Sequence, residues 1–410
     1  MEKISIALGK TVQKVSRIRG NGGSALPGLV IERTNPNFIK RVLSKLPYGV
    51  VVISGTNGKT TTTKMVTELF EGQGLKVFTN KTGSNFVRGV ISAILKNIKL
   101  SGKFDYDIAV LELDEAHAVK FSEVAPIDYA LLLNVQRDQL DRFGEIDHTA
   151  EYLQKVATAT KKCTVLNRED PRISKITAPK TVFFGLSDEL IKKFPSDDDL
   201  FGKNDTKAST QKAVVVLEKL GKKATYNIEG DKYQTPLKVK GVYNAYNAAG
   251  ALTLVKTVLN KAKNEELINT LANIESAFGR GEVLKINDTE VELLLVKNPS
   301  AFQLSIASFV DDDHDYMIAI NDEIADGRDV SWLWNVDFTS LPTVSVVSGT
   351  RATDMALRLK YDEVKSTACI ENLKQAVTKF TATGKKPKRI FATYTAMLEI
   401  RKIISGKSLL

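Results

Sequence analysis

The chain has 410 residues, with 58 Lys and Arg against 48 Asp and Glu, for a formal net charge of +10. That length exceeds one ordinary core and predicts two or three domains, while the basic balance favours an anionic partner: nucleotide, nucleic acid, phospholipid surface or pyrophosphate-linked substrate. No stretch approaches the ~20 uninterrupted apolar residues of a membrane span and none reads as a secretory signal, which predicts a cytosolic protein; two cysteines (Cys163, Cys369) and three scattered histidines (His117, His148, His314) are too few for a disulfide framework or a structural zinc centre.

Residues 1 to 19 set Ile4, Leu8, Val12, Val15 and Ile18 at helical spacing, with Lys3, Lys10, Lys14, Arg17 and Arg19 between them against the single acid Glu2. This predicts a basic amphipathic helix, either packed on the domain with a solvated basic face or lying on a membrane surface. Asn21-Gly22-Gly23-Ser24 then marks a turn.

From about Pro47 the pattern alternates strands with helices, and Val50–Ser54, Lys76–Thr79, Ile108–Leu113, Tyr129–Val135, Thr164–Asn167 and Thr181–Phe184 read as strands. Near-continuous apolar runs joined through helices predict an α/β fold with a doubly wound, mainly parallel sheet. The first strand feeds Gly55-Thr56-Asn57-Gly58-Lys59-Thr60-Thr61 and then a helical run, Lys64 to Phe70. Glycines let backbone N–H groups approach phosphate oxygens, Lys59 supplies a charge at the β- and γ-phosphates, and the Thr60 hydroxyl is a ligand for Mg²⁺, so the segment predicts an ATP-binding loop. It is a shortened form, since Ile53 stands where the usual first glycine would be.

Further segments fall at the carboxyl edge expected of such a sheet. Asn80-Lys81-Thr82-Gly83-Ser84-Asn85 suits phosphate or metal, although an ordinary polar loop has the same composition. The strand ending in Glu112, Asp114 and Glu115 delivers acids suited to Mg²⁺, and Asp114-Glu115-Ala116-His117 also spells a helicase box. Asn134 to Gly144 gathers Asn134 with two Asp and two Arg, which a capped helix start would also explain. The polar stretch 196–210 reads as a loop or insertion, and Ala224–Lys240 as a β-rich patch. Asn244 and Asn247, three apart in a small-residue helix, suit a base or ribose or else simply a tightly packed helix.

A second series opens near Val283, with strands Val291–Val296, Tyr316–Asn321, Val344–Val347 and Arg389–Thr393 and helices Asp354–Lys360 and Ile370–Phe380. The expected division is an N-terminal segment 1–45, an ATP-binding domain 46–282 and a smaller α/β domain 283–410.

In this order the segments resemble the Mur ligase family, ATP-dependent amide-forming enzymes of peptidoglycan precursor synthesis: GTNGKTT at 55–61, Glu112, NVQRDQLDRFG at 134–144, NRED at 167–170, GVYNAYNAA at 241–249 and GRGE at 279–282. The forms at 80–85 and 138–141 resemble one branch of it, the ligase-like subunits of lipid II isoglutaminyl synthases; Mur ligases proper usually carry a metal-binding His where Gln139 stands. Lys297-Asn298-Pro299, the run Asn321 to Trp334, Gly349 to Ala356 and Tyr394 to Met397 resemble that branch's C-terminal domain, so the likeness runs from about Leu26 onward.

The resemblance implies ATP-dependent amidation of the D-glutamate α-carboxylate in the lipid II stem peptide, through an acyl phosphate attacked by ammonia. It places Gly55, Thr56, Asn57, Gly58, Lys59, Thr60 and Thr61 on the phosphates, Thr60 and Glu112 on Mg²⁺, Asn244 and Asn247 near the nucleotide, and Arg280 at a hinge. It also implies a heterodimer with a GatD-like glutamine amidotransferase, whose catalytic triad is completed by Asp329 or, second, Asp326, and a site of work at the inner face of the membrane. Two departures stand out. Many members of the branch insert a four-cysteine zinc ribbon, whereas the stretch Phe201–Tyr233 has no cysteine and predicts no zinc site, and Asn335 stands where an acid is common.

Two competitors remain. A nucleic-acid-dependent ATPase fits the basic charge and the Asp-Glu-Ala-His box, but no arginine-bearing second motor half and no aromatic-basic interleaving is found. A stand-alone Mur or folylpolyglutamate-type ligase is expected to differ in its C-terminal motifs, and only about 45 residues precede the ATP region where the murein enzymes carry a uridine-nucleotide domain.

Overall fold

The computed structural model describes residues 2–18, 25–80, 86–137, 146–191, 194, 211–239, 241–275, 280–286, 289–382, 384 and 386–406. Two compact units emerge: Met1–Val135 with Asp147–Lys238 and Asn244–Ile274, and Gln136–Ile146 with Val239–Tyr243 and Glu275–Leu410.

The first unit is built on a sheet of nine strands among the described residues. They are β1 (Gly49–Ser54), β2 (Val77–Thr79), β3 (Ile108–Glu112), β4 (Ile127–Leu132), β5 (Thr160–Asn167), β6 (Thr181–Leu186), β7 (Ala213–Leu220), β8 (Ala224–Ile228) and β9 (Asp231–Thr235), in the order β2-β3-β1-β4-β5-β6-β7-β8-β9. Pairing is parallel from β2 through β7, and β8 and β9 extend one edge antiparallel. Every residue of β1 is buried, since it lies between β3 and β4 with Ile53 opposite Glu112 and Ser54 opposite Leu132. Its Val-Val-Val-Ile run is what a strand covered on both faces requires. The chain leaves β1 to build β3 and β2 on one side and crosses to β4 on the other, so the change of direction falls beside the C-terminal end of β1, where open α/β sheets bind ligands.

Helices α1 (Glu2–Ile18), α2 (Ala25–Thr34) and α3 (Phe38–Leu43) precede the sheet; α4 (Lys59–Gly72), α5 (Val87–Asn97), α6 (Glu115–Val124), α7 (Ile146–Ala159), α8 (Asp188–Ile191), α9 (Val242–Val258) and α10 (Asn264–Leu271) follow in turn. Helix α1 corrects the packing expected from its sequence. It rests on α2 and α5 through Ser5, Ile6, Gly9 and Ser16, and leaves Ile4, Leu8 and Val15 exposed. At Gly9 the seat is tight, since a Cβ there would lie 2.7 Å from Leu95 Cδ1.

The second unit carries a six-stranded sheet among the described residues: β10 (Arg280–Ile286), β11 (Thr289–Leu295), β12 (Asp315–Ala319), β13 (Val344–Ser348), β14 (Cys369–Ile370) and β15 (Lys388–Ala392), ordered β10-β11-β15-β12-β13-β14. Only the β10–β11 pair is antiparallel. Alternation along β12 sends Tyr316 and Ile318 into one core with Phe302, Phe338 and Phe391, and Met317 and Ala319 into another with Val346, Phe380 and Ile390. These cores are closed by α11 (Pro299–Phe309), α12 (Ala352–Tyr361), α13 (Leu373–Ala382) and α14 (Tyr394–Ser405). The Lys297-Asn298-Pro299 motif is a helix start: Asn298 accepts from Ala301 N at 2.8 Å and Pro299 takes the first turn.

Candidate functional site

Strand β1 ends in Ser54, whose hydroxyl donates to Leu113 O at 2.8 Å, and the chain then turns through Gly55 and Gly58, at φ +128° and +88°, before α4 begins at Lys59. At Gly58 a Cβ would be 2.5 Å from Asn247 Nδ2, so glycine meets both a left-handed backbone and a close neighbour from α9. Asn134 holds the turn from the far side. Its Oδ1 accepts from Asn57 N at 2.8 Å, its Nδ2 donates to Asn57 O at 2.9 Å, and its carbonyl accepts from Thr56 N at 3.0 Å. The first helical bond of α4 runs from Thr62 N to Gly58 O, so the N–H groups of Lys59, Thr60 and Thr61 lie ahead of the hydrogen-bonded helix, at its positive end.

Lys59 is buried; its Nζ donates to Gly55 O at 2.7 Å and faces Asp114 Oδ1 at 3.3 Å and Glu115 Oε1 at 3.6 Å. Thr60 Oγ1 donates to Glu112 Oε1 at 2.9 Å. Asn80 fixes that end of β3: its Nδ2 donates to Glu112 O at 2.8 Å and its Oδ1 accepts from Glu112 N at 2.9 Å. Asn80 thus serves the fold here, and Lys81 to Asn85 lie outside the described residues.

Three carboxylates, Glu112, Asp114 and Glu115, stand against one ammonium, an excess of negative charge that a divalent cation offsets. The hydroxyl of Thr60 and the carboxylate of Glu112 are spaced as neighbouring oxygens of an octahedral ion, for which ligands at about 2.1 Å give about 3 Å between them. Among the described residues no group of three His, Cys, Asp or Glu forms a metal cage. The arrangement fits Mg²⁺, which keeps several waters and takes few protein ligands. The Thr61 hydroxyl, like those of Thr62, Thr63 and Thr67 on the same helix, is buried without a partner among the described residues.

Asn247 is thereby brought to the loop, and Asn244 lies one turn earlier in α9, half-buried. Asp114 is the N-cap residue of α6, and Glu115 to His117 are its first turn. Arg280 opens β10, with its side chain outside the described set, as are residues 138–145 and Gly279.

Sequence reasoning assigned no task to Asn167 and Asp170. Asn167 Nδ2 donates to Leu133 O at 2.8 Å while its Oδ1 accepts from Tyr246; Asp170 accepts from Val135 N, Arg172 N and Ile173 N, so the pair anchors the segment carrying Asn134. Burial pushes the Asp170 carboxyl above its usual range against those three bonds.

In the second unit the two aspartates differ. Asp326 is buried and accepts from the hydroxyl of Thr395, from Thr395 N at 2.7 Å and from Glu323 N at 3.2 Å, with its carboxyl raised by burial. Asp329 is exposed, and its bonds from Ser331, one of them from the backbone N–H at 2.8 Å, hold it below the usual carboxylate range.

Residues 53–255 match the Mur ligase middle domain and residues 295–397 the MurT ligase C-terminal domain. The chain belongs to the Mur ligase family, in its MurT branch. It is 29% identical to the lipid II isoglutaminyl synthase (glutamine-hydrolyzing) subunit MurT of Staphylococcus aureus (strain COL), across 90% of this chain and 89% of that one. Against the subunit of the same name from Streptococcus pneumoniae (strain ATCC BAA-255 / R6) it is 28% identical, across 94% and 93%. MurF of Acinetobacter baumannii superposes with a TM-score of 0.68 over 92% of this chain and 81% of its own at 16% identity, so the architecture is the Mur ligase fold. The middle-domain match falls in the first unit apart from Gln136–Ile146 and Val239–Tyr243, and the C-terminal match falls in the second.

Proposed function

We propose that the chain is the synthetase subunit of a glutamine-hydrolysing enzyme that amidates the D-glutamate α-carboxylate of the lipid II stem peptide. The observation that carries this is the Gly55–Thr61 loop with Glu112 beside Thr60, in a chain similar to MurT subunits over nine-tenths of its length. When bound, ATP and Mg²⁺ supply the phosphoryl group and neutralise its charge. The chain's own work is positioning and electrostatics. Lys59 and the first-turn N–H groups of α4 hold phosphate oxygens, Thr60 and Glu112 hold the ion, Asn247 and Asn244 flank the nucleotide, and Arg280 serves the hinge.

The substrate carboxylate oxygen would take the γ-phosphoryl group as the bridging O–P bond breaks and ADP leaves; ammonia would then form the C–N bond and lose a proton as phosphate departs with the C–O electron pair. Ammonia comes from a GatD-like subunit that this chain joins as a heterodimer at the cytoplasmic face of the membrane. Asp329 is the residue that completes the partner's triad; its exposure and its ionised state suit it to orient a histidine, whereas Asp326 is committed to Thr395. Nearby in sequence, Trp334 is exposed and meets the exposed Tyr361 edge to face at 5.4 Å, an apolar surface suited to that protein partner.

The test is amidation of lipid II by the co-expressed complex. Lys59→Ala abolishes the reaction with either glutamine or ammonium, while Asp329→Asn impairs glutamine use and spares free ammonium. Equal loss with both nitrogen sources would remove Asp329 from the triad.

A further inference from the structure

Helix α1 turns its more apolar stripe away from the protein. Ile4, Leu8 and Val15 are 72%, 41% and 45% exposed, and at 3.6 residues per turn the three fall within about 40° of one another around the axis. A second face, about 120° further round and carrying Ser5, Ile6, Gly9 and Ser16, is the one seated on α2 and α5, where Asn35 Nδ2 donates to Ser5 Oγ at 2.9 Å and Gln13 Nε2 to Ser92 O at 3.3 Å. A helix that seats Ile6 together with small and polar groups, while Ile4, Leu8 and Val15 meet water, runs against ordinary burial. Lys3, Lys10 and Lys14 form a row about 120° round the axis from that stripe, with the exposed Ala7 and Thr11 between, and no acid occurs from Lys3 to Ile18.

We propose that this face of α1 is an interfacial anchor that inserts Ile4, Leu8 and Val15 among the acyl chains of an anionic bilayer while the three lysines meet its phosphate headgroups. The row of positive charge beside an apolar ridge is complementary to an anionic lipid surface. No helix among the described residues is long and apolar enough to cross a membrane, so contact is superficial and reversible. The anchor rests on the functional reading for its purpose, since it would bring the phosphate-binding unit to a lipid-linked substrate, but not for its physics.

Flotation of the full chain with vesicles tests it. The wild type is expected to bind phosphatidylcholine–phosphatidylglycerol vesicles, to bind phosphatidylcholine alone weakly, and to be released by salt. Lys3→Gln/Lys10→Gln/Lys14→Gln lowers partitioning by about a hundredfold, at about fivefold for each lysine near the surface. Ile4→Ser/Leu8→Ser/Val15→Ser, which alters only exposed side chains, weakens binding to both lipid compositions without changing the melting temperature. The proposal is overturned if the wild type remains unbound, if either variant binds as the wild type does, or if the ridge instead mediates a dimer and leaves the vesicles alone. Lys59→Ala floats like the wild type and the ridge variant still binds Mg-ATP in solution, so the anchor and the catalytic reading fail separately.

Discussion

At the scale of single residues, Gly58 is constrained twice over in the phosphate loop. Its φ of +88° is costly for any residue with a Cβ, by about 1 kcal/mol, and the added methyl would press on the Asn247 amide 2.5 Å away. The strain falls on the turn that aims the first N–H groups of α4, and displacements near 1 Å in such positioning cost about 100-fold in rate. Gly58→Ala is therefore expected to lower kcat/KM for ATP by about that factor, with a melting temperature close to wild type; steady-state kinetics beside a thermal melt measure both. An unchanged kcat/KM would mean that the loop does not aim phosphate.

Among the elements, the second unit's sheet is tied together by Arg389 on β15, which reaches Glu292 on β11 at 2.9 Å, Asp311 at 2.6 Å and the Phe309 carbonyl. Burial opposes ionisation of Asp311, but hydrogen bonds from His314 and Arg389 outweigh it and hold its carboxyl down to about 2. A folded-state value below the unfolded one means that the native state holds its charge longer, so the stabilisation is complete above the unfolded pKa near 4 and is lost as pH falls toward 2. Asp311→Asn should accordingly destabilise the chain at neutral pH, with the gap from wild type closing between about pH 4 and pH 2. Urea unfolding at several pH values reads this, and a gap independent of pH would assign the loss to packing instead.

The elements also mark where sequence is legible. Apolar runs announce strands in the sequence, which is why β1 and β3, buried along their whole length, and the partly buried β5, β6, β12 and β13 fall at or within a few residues of the expected positions. Strand β7 also carries an apolar run, Ala213 to Leu217, of which only Val215 and Leu217 are buried, and it hides behind the polar stretch 196–210. Helix α1 is legible as a helix but not as to its inner face, because hydrophobic spacing cannot foresee that Gly9 must fit beneath Leu95. The same limit blurs the site. Asn80, Asn167 and Asp170 are polar residues at strand ends, like true ligand groups, and only their partners reveal that they brace loops.

Over the whole molecule, the phosphate loop is the point at which chemistry and stability meet. Gly55 to Thr61 joins the buried strand β1 to α4, whose Met65, Val66, Leu69 and Phe70 lie in the core, so a ligand gripped there stabilises the native chain through mass action. Mg-nucleotide at about 100 times its Kd should add about 2.7 kcal/mol to unfolding. Two features make this specific to the site. Removing Mg²⁺ leaves phosphate facing Glu112, Asp114 and Glu115 without a counter-ion, so chelation should shrink the shift. Lys59→Ala removes the buried ammonium that faces Asp114 and Glu115, and should abolish it even though the variant retains its α/β core. Thermal melts of wild type and variant with nucleotide, Mg²⁺ and chelator decide the matter: a shift that survives in Lys59→Ala, or one indifferent to chelation, would place the nucleotide somewhere other than this loop.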